Sequence, residues 1–337
     1  MSEAAATSPD SATSPDSATA EDTELGERTD EFRFLASDAA RVGRSDPLPM
    51  VSRVRAELPD HRTVSGLAFD GEHAPALVAM HGAGLNAHSF DPMLLALRQP
   101  ALALDLPGHG RSDWRADADY RPETIAADLI AALDRFALPP VALVGHSLGG
   151  LTAALVAASR PDLVSHVILI DITPGVSPAS DTGSVRDFIQ GQRDFGSIDE
   201  IVTRAQRFGI GRDAAALRRG IALNTRRRPD QRLEWTHHLA HLDAGAPPVG
   251  SADAQPYAPI WDALASLETL GVPVALIAAE SGMATAARIE EWRVRLPHSA
   301  VVTVAGPHNL HEAAPAPLAS AIQALTATAP GRTGPEA

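Results

Sequence analysis

The run Val141-Ala-Leu-Val-Gly-His-Ser-Leu-Gly-Gly150 decides how this chain is read. Its first four residues are apolar and β-prone, as in a strand buried on both faces of a parallel sheet. A helical pattern follows from about Gly150 through Ser159. Between the two lies Gly145-His-Ser-Leu-Gly149, a G-x-S-x-G sequence in the strand–turn–helix setting that the motif needs. So sharp a turn leaves no room for side chains two residues to either side of Ser147, and glycine stands at both places. Ser147 is expected at a helix N-terminus, where the dipole favours negative charge on an attacked substrate. The competing reading is a glycine-rich strand–helix turn with an incidental serine.

Outward from this run, short apolar stretches alternate with helical ones. Residues 64–69 (closing on the turn signal Asp70-Gly71), 76–80, 101–104, 141–144, 167–170, 274–278 and 301–304 read as strands. Residues 122–136 and 151–159 carry helical spacing. Repeated strand–helix–strand units predict an α/β fold with a mostly parallel, doubly wound sheet. The rhythm breaks between about Thr173 and Leu270, where helical patterns take over. Ser197-Ile-Asp-Glu200 is a capping box that opens a helix through about Phe208. Asp213 can cap a second helix through Asn224, and 230–242 offers a third. This block is expected as a helical cap over the carboxyl edge of the sheet, where small-molecule sites lie in open α/β folds.

The expected organisation is therefore a core in two parts, 31–172 and 271–328, interrupted by a cap at 173–270. Tails at 1–30 and 329–337 read as disordered. The first holds the direct repeat TSPDSA at 7–12 and 13–18 and almost no large apolar side chains, so folding could not offset its ordering entropy.

Composition excludes several chemistries. The chain has 337 residues, 45% hydrophobic, no cysteine, and no lysine among its 28 basic residues. Disulfides, thiolate metal sites, a cysteine nucleophile and Schiff-base lysines are thus ruled out. A formal charge of −14 argues against nucleic acid and anionic membrane surfaces as partners. No apolar stretch is long enough to span a bilayer. The acidic N-terminus lacks a signal-peptide pattern, so a cytoplasmic location is expected.

Three further motifs follow expected strands: His81-Gly-Ala-Gly84, Asp105-Leu-Pro-Gly-His-Gly-Arg-Ser112 and Gly306-Pro-His-Asn-Leu-His311. In kind and order these and the elbow resemble the α/β-hydrolase family over about residues 51–325. The resemblance implies a serine hydrolase with Ser147 as nucleophile and His308 as general base, His311 being the competing histidine. It implies an oxyanion hole from the backbone N–H groups of Ala83 and Leu148, and treats His109 as part of a structural turn. Pro307 stands where the family's terminal loop has a second glycine, which predicts a stiffer loop. Serine at the elbow argues against haloalkane dehalogenase and epoxide hydrolase, which use aspartate there by family comparison. The implied substrate is a small molecule, with no cofactor or metal.

The acid is ambiguous. Most family members place it after the strand that is here 274–278, in a G-x-x-D pattern, but this chain reads Ala279-Glu-Ser-Gly282. Asp171, at the end of strand 167–170, is the preferred candidate; Glu280 is the alternative. A dyad without an acid, and a binding protein that keeps the pocket, also stay open. So does cleavage of carbon–carbon bonds, because fold and triad do not fix the substrate. His237, His238 and His241 fall at helical spacing and are read as an exposed helix face in preference to a metal site. Arg226-Arg-Arg228 is read as a solvated turn between cap helices, with recognition of a substrate carboxylate as the sharper option. His146 is expected to pack beside the elbow, and Trp235 and Trp261 to line the cleft or the core.

Overall fold

Each stretch expected as a strand forms one, within a residue or three of its expected ends. The computed structural model describes residues 31–136, 138–177, 187–189, 191–211, 213–242 and 255–327. The tails expected at 1–30 and 329–337 lie outside them. The chain divides into two units, Met1–Phe34 and Leu35–Ala337; of the first, only the turn at 31–34 is described.

In the second unit the strands are β1 (Val51–Glu57), β2 (Thr63–Phe69), β3 (Leu77–Met80), β4 (Ala101–Leu104), β5 (Val141–His146), β6 (Val164–Ile170), β7 (Asp194–Phe195), β8 (Thr225–Arg227), β9 (Leu233–Trp235), β10 (Val274–Ser281) and β11 (Ala300–Pro307). Eight of them form one sheet in the order β1-β2-β4-β3-β5-β6-β10-β11. β2 runs antiparallel to both β1 and β4, and every other pairing is parallel. β3 and β4 are buried at every residue, as strands covered on both faces must be.

The helices are α1 (Leu35–Arg41), α2 (Asp91–Leu97), α3 (Pro122–Phe136), α4 (Leu148–Ser159), α5 (Ile198–Arg207), α6 (Ala214–Asn224), α7 (Pro259–Thr269), α8 (Ala286–Arg295), α9 (Leu310–Ala313) and α10 (Pro315–Thr326). Side chains alternate across a strand, and alternate sheet residues such as Val78, Met80, Leu102 and Leu104 pack in one cluster with Leu129, Leu133, Val156, Ile260 and Trp292. That puts α3, α4, α7 and α8 on one face. α1, α2 and α10 pack among themselves on the other.

The block at 173–270 differs from its expected all-helical form. Ser197 and Asp213 do cap α5 and α6: Ser197 Oγ accepts the Glu200 N–H at 3.2 Å, and Asp213 Oδ1 the Ala215 and Ala216 N–H groups. The helix expected over 230–242 is absent. There β9 pairs antiparallel with both β7 and β8, and one turn of 3-10 helix follows at His238–His241. β-branched Thr225, aromatic Trp235 and apolar Leu233 favour the hairpin, whose turn is closed by Arg228 N–H donating to Arg232 O and Gln231 N–H donating to Arg228 O. The cap has its own small core around Phe188, Phe195, Ile201, Ile221 and Trp235. α7 lies inside the expected cap limits but packs Ile260, Trp261, Leu264 and Leu267 into the main cluster. It is a core helix, and Trp261 is a core residue.

Candidate active site

Ser147 sits between the end of β5 and the start of α4 with φ 51° and ψ −120°. A non-glycine residue is held there only when its surroundings over-determine it, at a cost of about 1–3 kcal/mol. What holds it is close packing. A Cβ on Gly145 would lie 2.2 Å from the Gly149 carbonyl oxygen, and one on Gly149 would lie 2.2 Å from that of Met80. The elbow therefore rests directly against the end of β3.

The loop after β3 is aimed by histidines. His81 Nε2 accepts the Leu106 N–H at 3.0 Å, so its proton is on Nδ1 and is donated to the Gly82 carbonyl at 2.8 Å. Leu85 N–H donates to the same carbonyl. In a planar trans peptide the N–H points opposite the C=O, so the Ala83 N–H faces away from His81. His109 Nε2 accepts the Gly84 N–H at 3.1 Å, while its Nδ1–H donates to Pro107. A Cβ on Gly82 would stand 3.2 Å from Ser147 Cβ, which brings the loop against the elbow. Leu148 opens α4, so its N–H is among the donors that a helix leaves without an internal acceptor.

The structure brings His308 and Asp171 together: His308 Nδ1–H donates to Asp171 Oδ2 at 2.7 Å. Asp171 is fully buried, whereas the His308 side chain is 25% exposed. The Asp171 carboxylate also accepts the backbone N–H groups of Ala279, Met283 and Ala284 at 2.9, 2.7 and 3.2 Å. Glu280 points elsewhere: it lies on the exposed end of β10, and among the described residues no hydrogen bond joins it to His308.

The α/β hydrolase fold profile matches residues 75–315. The chain belongs to the α/β hydrolase fold family. Esterase Rv0045c of Mycobacterium tuberculosis is 34% identical over 276 residues, covering 80% of this chain and 86% of that protein. A solved structure of that esterase has a TM-score of 0.74 at 32% identity, over 88% of this chain and 99% of the other. A mouse sn-1-specific diacylglycerol lipase is 38% identical over 122 residues, covering 34% of this chain and 39% of the relative. The chain is a hydrolase.

In this hydrolase a cavity of about 450 Å³ has His308 and Gly84 in its wall, facing residues of the 173–270 block. The cap lines it with Phe188, Ile189, Leu217, Ile221 and Trp235. Sequence reasoning missed the polar residues that pin this roof. Asn224, the last residue of α6, donates to the Gly84 carbonyl, and Asn86 donates to Leu223 O at 2.8 Å. Arg219 bridges Asp38 at 2.7 Å and Asp91 at 2.9 Å. An asparagine at a helix end and an arginine in a helix carry no signal by themselves, because their partners lie more than a hundred residues away.

His146 packs beside the elbow as expected, its Nε2–H donating to the His308 carbonyl at 3.2 Å. His311 is fully buried, and among the described residues neither ring nitrogen has a hydrogen-bond partner; its ring centroid is 4.5 Å from that of His146. Burial pushes His311 down to about 3, His81 to about 4 and His109 to about 3. It also holds His146 well below the ordinary range, with His308 and His311 adding to the effect. These imidazoles stay neutral near pH 7.

The His237–His241 segment is not an exposed helix face. His237 is buried, His238 stacks on Trp114 with centroids 4.3 Å apart, and His241 Nε2–H donates to Trp235 O at 3.0 Å. Among the described residues no three His, Asp or Glu side chains are arranged to hold a metal ion. Arg226 pairs with Glu234 at 2.6 Å and Arg228 with Asp230 at 3.0 Å, outside the cavity wall. No helix among the described residues is long and apolar enough to cross a membrane.

Proposed function

We propose that this hydrolase cleaves small-molecule carboxylic esters through a triad of Ser147, His308 and Asp171. The observation that carries the reading is the His308–Asp171 hydrogen bond, with His308 in the cavity wall and Ser147 on a strained strand–helix turn. Serine at its ordinary pKa is a weak nucleophile and needs an adjacent base. His308, with its Nδ1 proton committed to Asp171, has Nε2 free to accept the Ser147 proton as Oγ attacks a carbonyl. Asp171 orients the ring and stabilises the imidazolium that forms. The Ala83 and Leu148 N–H groups take the developing oxyanion; each such donor is worth about 2.7–4 kcal/mol of transition-state stabilisation. His308 then protonates the leaving alcohol, and water resolves the acyl-enzyme by the same route. Relatives named as an esterase and a lipase support an ester over other acyl bonds, and the largely apolar cavity suits an uncharged acyl or alcohol group.

Intact-mass detection of a fluorophosphonate adduct tests the reading, with Ser147→Ala as control. One adduct on the native protein and none on the variant, with hydrolysis of p-nitrophenyl butyrate, is the expected result. Folded protein that takes no adduct would sink the nucleophile. Turnover of a vinylogous diketone but no ester would replace ester cleavage with carbon–carbon cleavage.

A further inference from the structure

His237 is a histidine that the proposed mechanism does not use, and it stands in the cavity wall. It precedes the 3-10 turn His238–His241, and its Nδ1 accepts the Ala240 N–H at 3.3 Å. An imidazole that accepts through Nδ1 carries its proton on Nε2. The residue is 1% exposed, and its ring lies flat along Trp235, centroids 5.5 Å apart and planes at 27°. Its position is thus fixed by packing as well as by the hydrogen bond. Burial holds it well below the ordinary histidine range, with His109 nearby adding to the effect, so the ring stays neutral.

Nε2 is the unspent atom. Among the described residues the hydrogen bond of the ring is the one through Nδ1, and His237 forms part of the cavity wall, so Nε2 is not sealed in the core. It stands 3.8 Å from where a Cβ on Gly84 would lie. Gly84 belongs to the loop that carries the Ala83 N–H, so the donor faces the region next to the scissile carbonyl. Capping a turn does not require histidine: Ser, Thr, Asp and Asn do so better and leave no second polar atom over. An N–H that opens on a largely apolar cavity is left for water or a substrate oxygen to satisfy.

We propose that His237 is a specificity-determining residue, donating its Nε2–H to a second oxygen acceptor of the substrate. The preferred substrates are then esters that carry an ether, keto or amide oxygen within a few bonds of the scissile carbonyl. This rests on the ester-hydrolase reading above. Trp235 and Ile189, the latter meeting a Gly84 Cβ at 2.7 Å, keep the space beside the donor apolar. A hydrogen bond made there competes with little water, which strengthens the discrimination.

Matched pairs differing only in CH2 against O test it: p-nitrophenyl butyrate with methoxyacetate, and n-butyl butyrate with 2-methoxyethyl butyrate. The quantity read is the oxygenated-to-alkyl ratio of kcat/KM. In His237→Leu this ratio should fall about tenfold from its native value for at least one pair; a neutral hydrogen bond supports a change of that order. His237→Gln, which keeps an N–H, should retain part of it. A ratio unchanged in both variants for both pairs would overturn the proposal, as would an equal loss on both members of each pair, the mark of a structural role. Calorimetric binding of the corresponding unreactive amides to Ser147→Ala and Ser147→Ala/His237→Leu gives the same comparison without turnover. Failure of every ester to turn over would count against the ester reading, while the amide comparison still decides the role of His237.

Discussion

At Gly282 the backbone is one that any residue can adopt, yet a Cβ there would stand 2.0 Å from Asp171 Oδ2. Position 282 is where most of the family would carry the triad acid, and the space its side chain would fill is taken by a carboxylate arriving from the neighbouring strand end. Asp171 reaches it with φ 50°, a conformation that disfavours most side chains but not glycine. The two positions are alternative origins for one carboxylate. Asp171→Asn should lower kcat/KM by roughly a thousandfold or more, since the wrong imidazole tautomer is then favoured. Gly282→Ala should be nearly as damaging, by displacing the carboxylate. The decisive variant is Asp171→Gly/Gly282→Asp, which should recover at least about tenfold of the kcat/KM lost in Asp171→Gly, because the new acid enters the same space. A double variant no faster than Asp171→Gly alone would refute the equivalence. The sequence could not reveal this, because convergence of two strand ends 111 residues apart leaves no local trace; it left Asp171 and Glu280 both standing.

Among the strands of the large sheet, the interior ones were legible, and of the two edge strands β11 was and β1 was not. β4 has its expected limits because Ala101–Leu104 is an unbroken apolar run. β1 escaped notice because VSRVRAE alternates charge with small apolar residues, as suits an antiparallel edge strand. One of its arginines, Arg53, turns inward only because Asp105 meets it at 2.6 Å. The cap strands are two or three residues long, too short for any periodicity. The cap's attachment was equally hidden, and it carries a stability prediction. Arg219 on α6 is buried between Asp38 on α1 and Asp91 on α2. Burial raises the pKa of Asp38, and Arg219 opposes that rise. Removing the guanidinium leaves two buried carboxylates uncompensated, which typically costs about 3–5 kcal/mol. Urea unfolding of Arg219→Met should show a loss of that size with the dependence on urea little altered. A loss below about 1 kcal/mol would mean that the bridge is not what fastens the cap.

At the scale of the whole molecule, the buried histidines make the fold acid-labile. Folded-state values near 4 for His81 and near 3 for His109 and His311, with His146 and His237 also well depressed, lie below the roughly 6.5 of an unfolded chain. Below about pH 6.5 the unfolded state binds protons that the folded state refuses. The stability these neutral rings preserve is complete above that pH and is lost as pH falls toward the folded values. Each of His81, His109 and His311 contributes a slope of about 1.4 kcal/mol per pH unit between its folded value and about 6.5, with His146 and His237 acting in the same direction, against a total of about 5–15 kcal/mol for an ordinary domain. Circular dichroism should show cooperative acid unfolding within that window, steeper than a single protonation would give. A melting temperature that stays level from pH 7 to pH 4 would contradict this. The same molecule ties roof to walls through Asn224, Asn86, Arg219 and the His238 N–H bond to Gly108 O at 2.7 Å. Such a roof is no swinging lid. If those bonds hold during turnover, kcat/KM should fall with substrate girth and be insensitive to solvent viscosity; a viscosity-dependent kcat with no girth limit would mean that the roof opens.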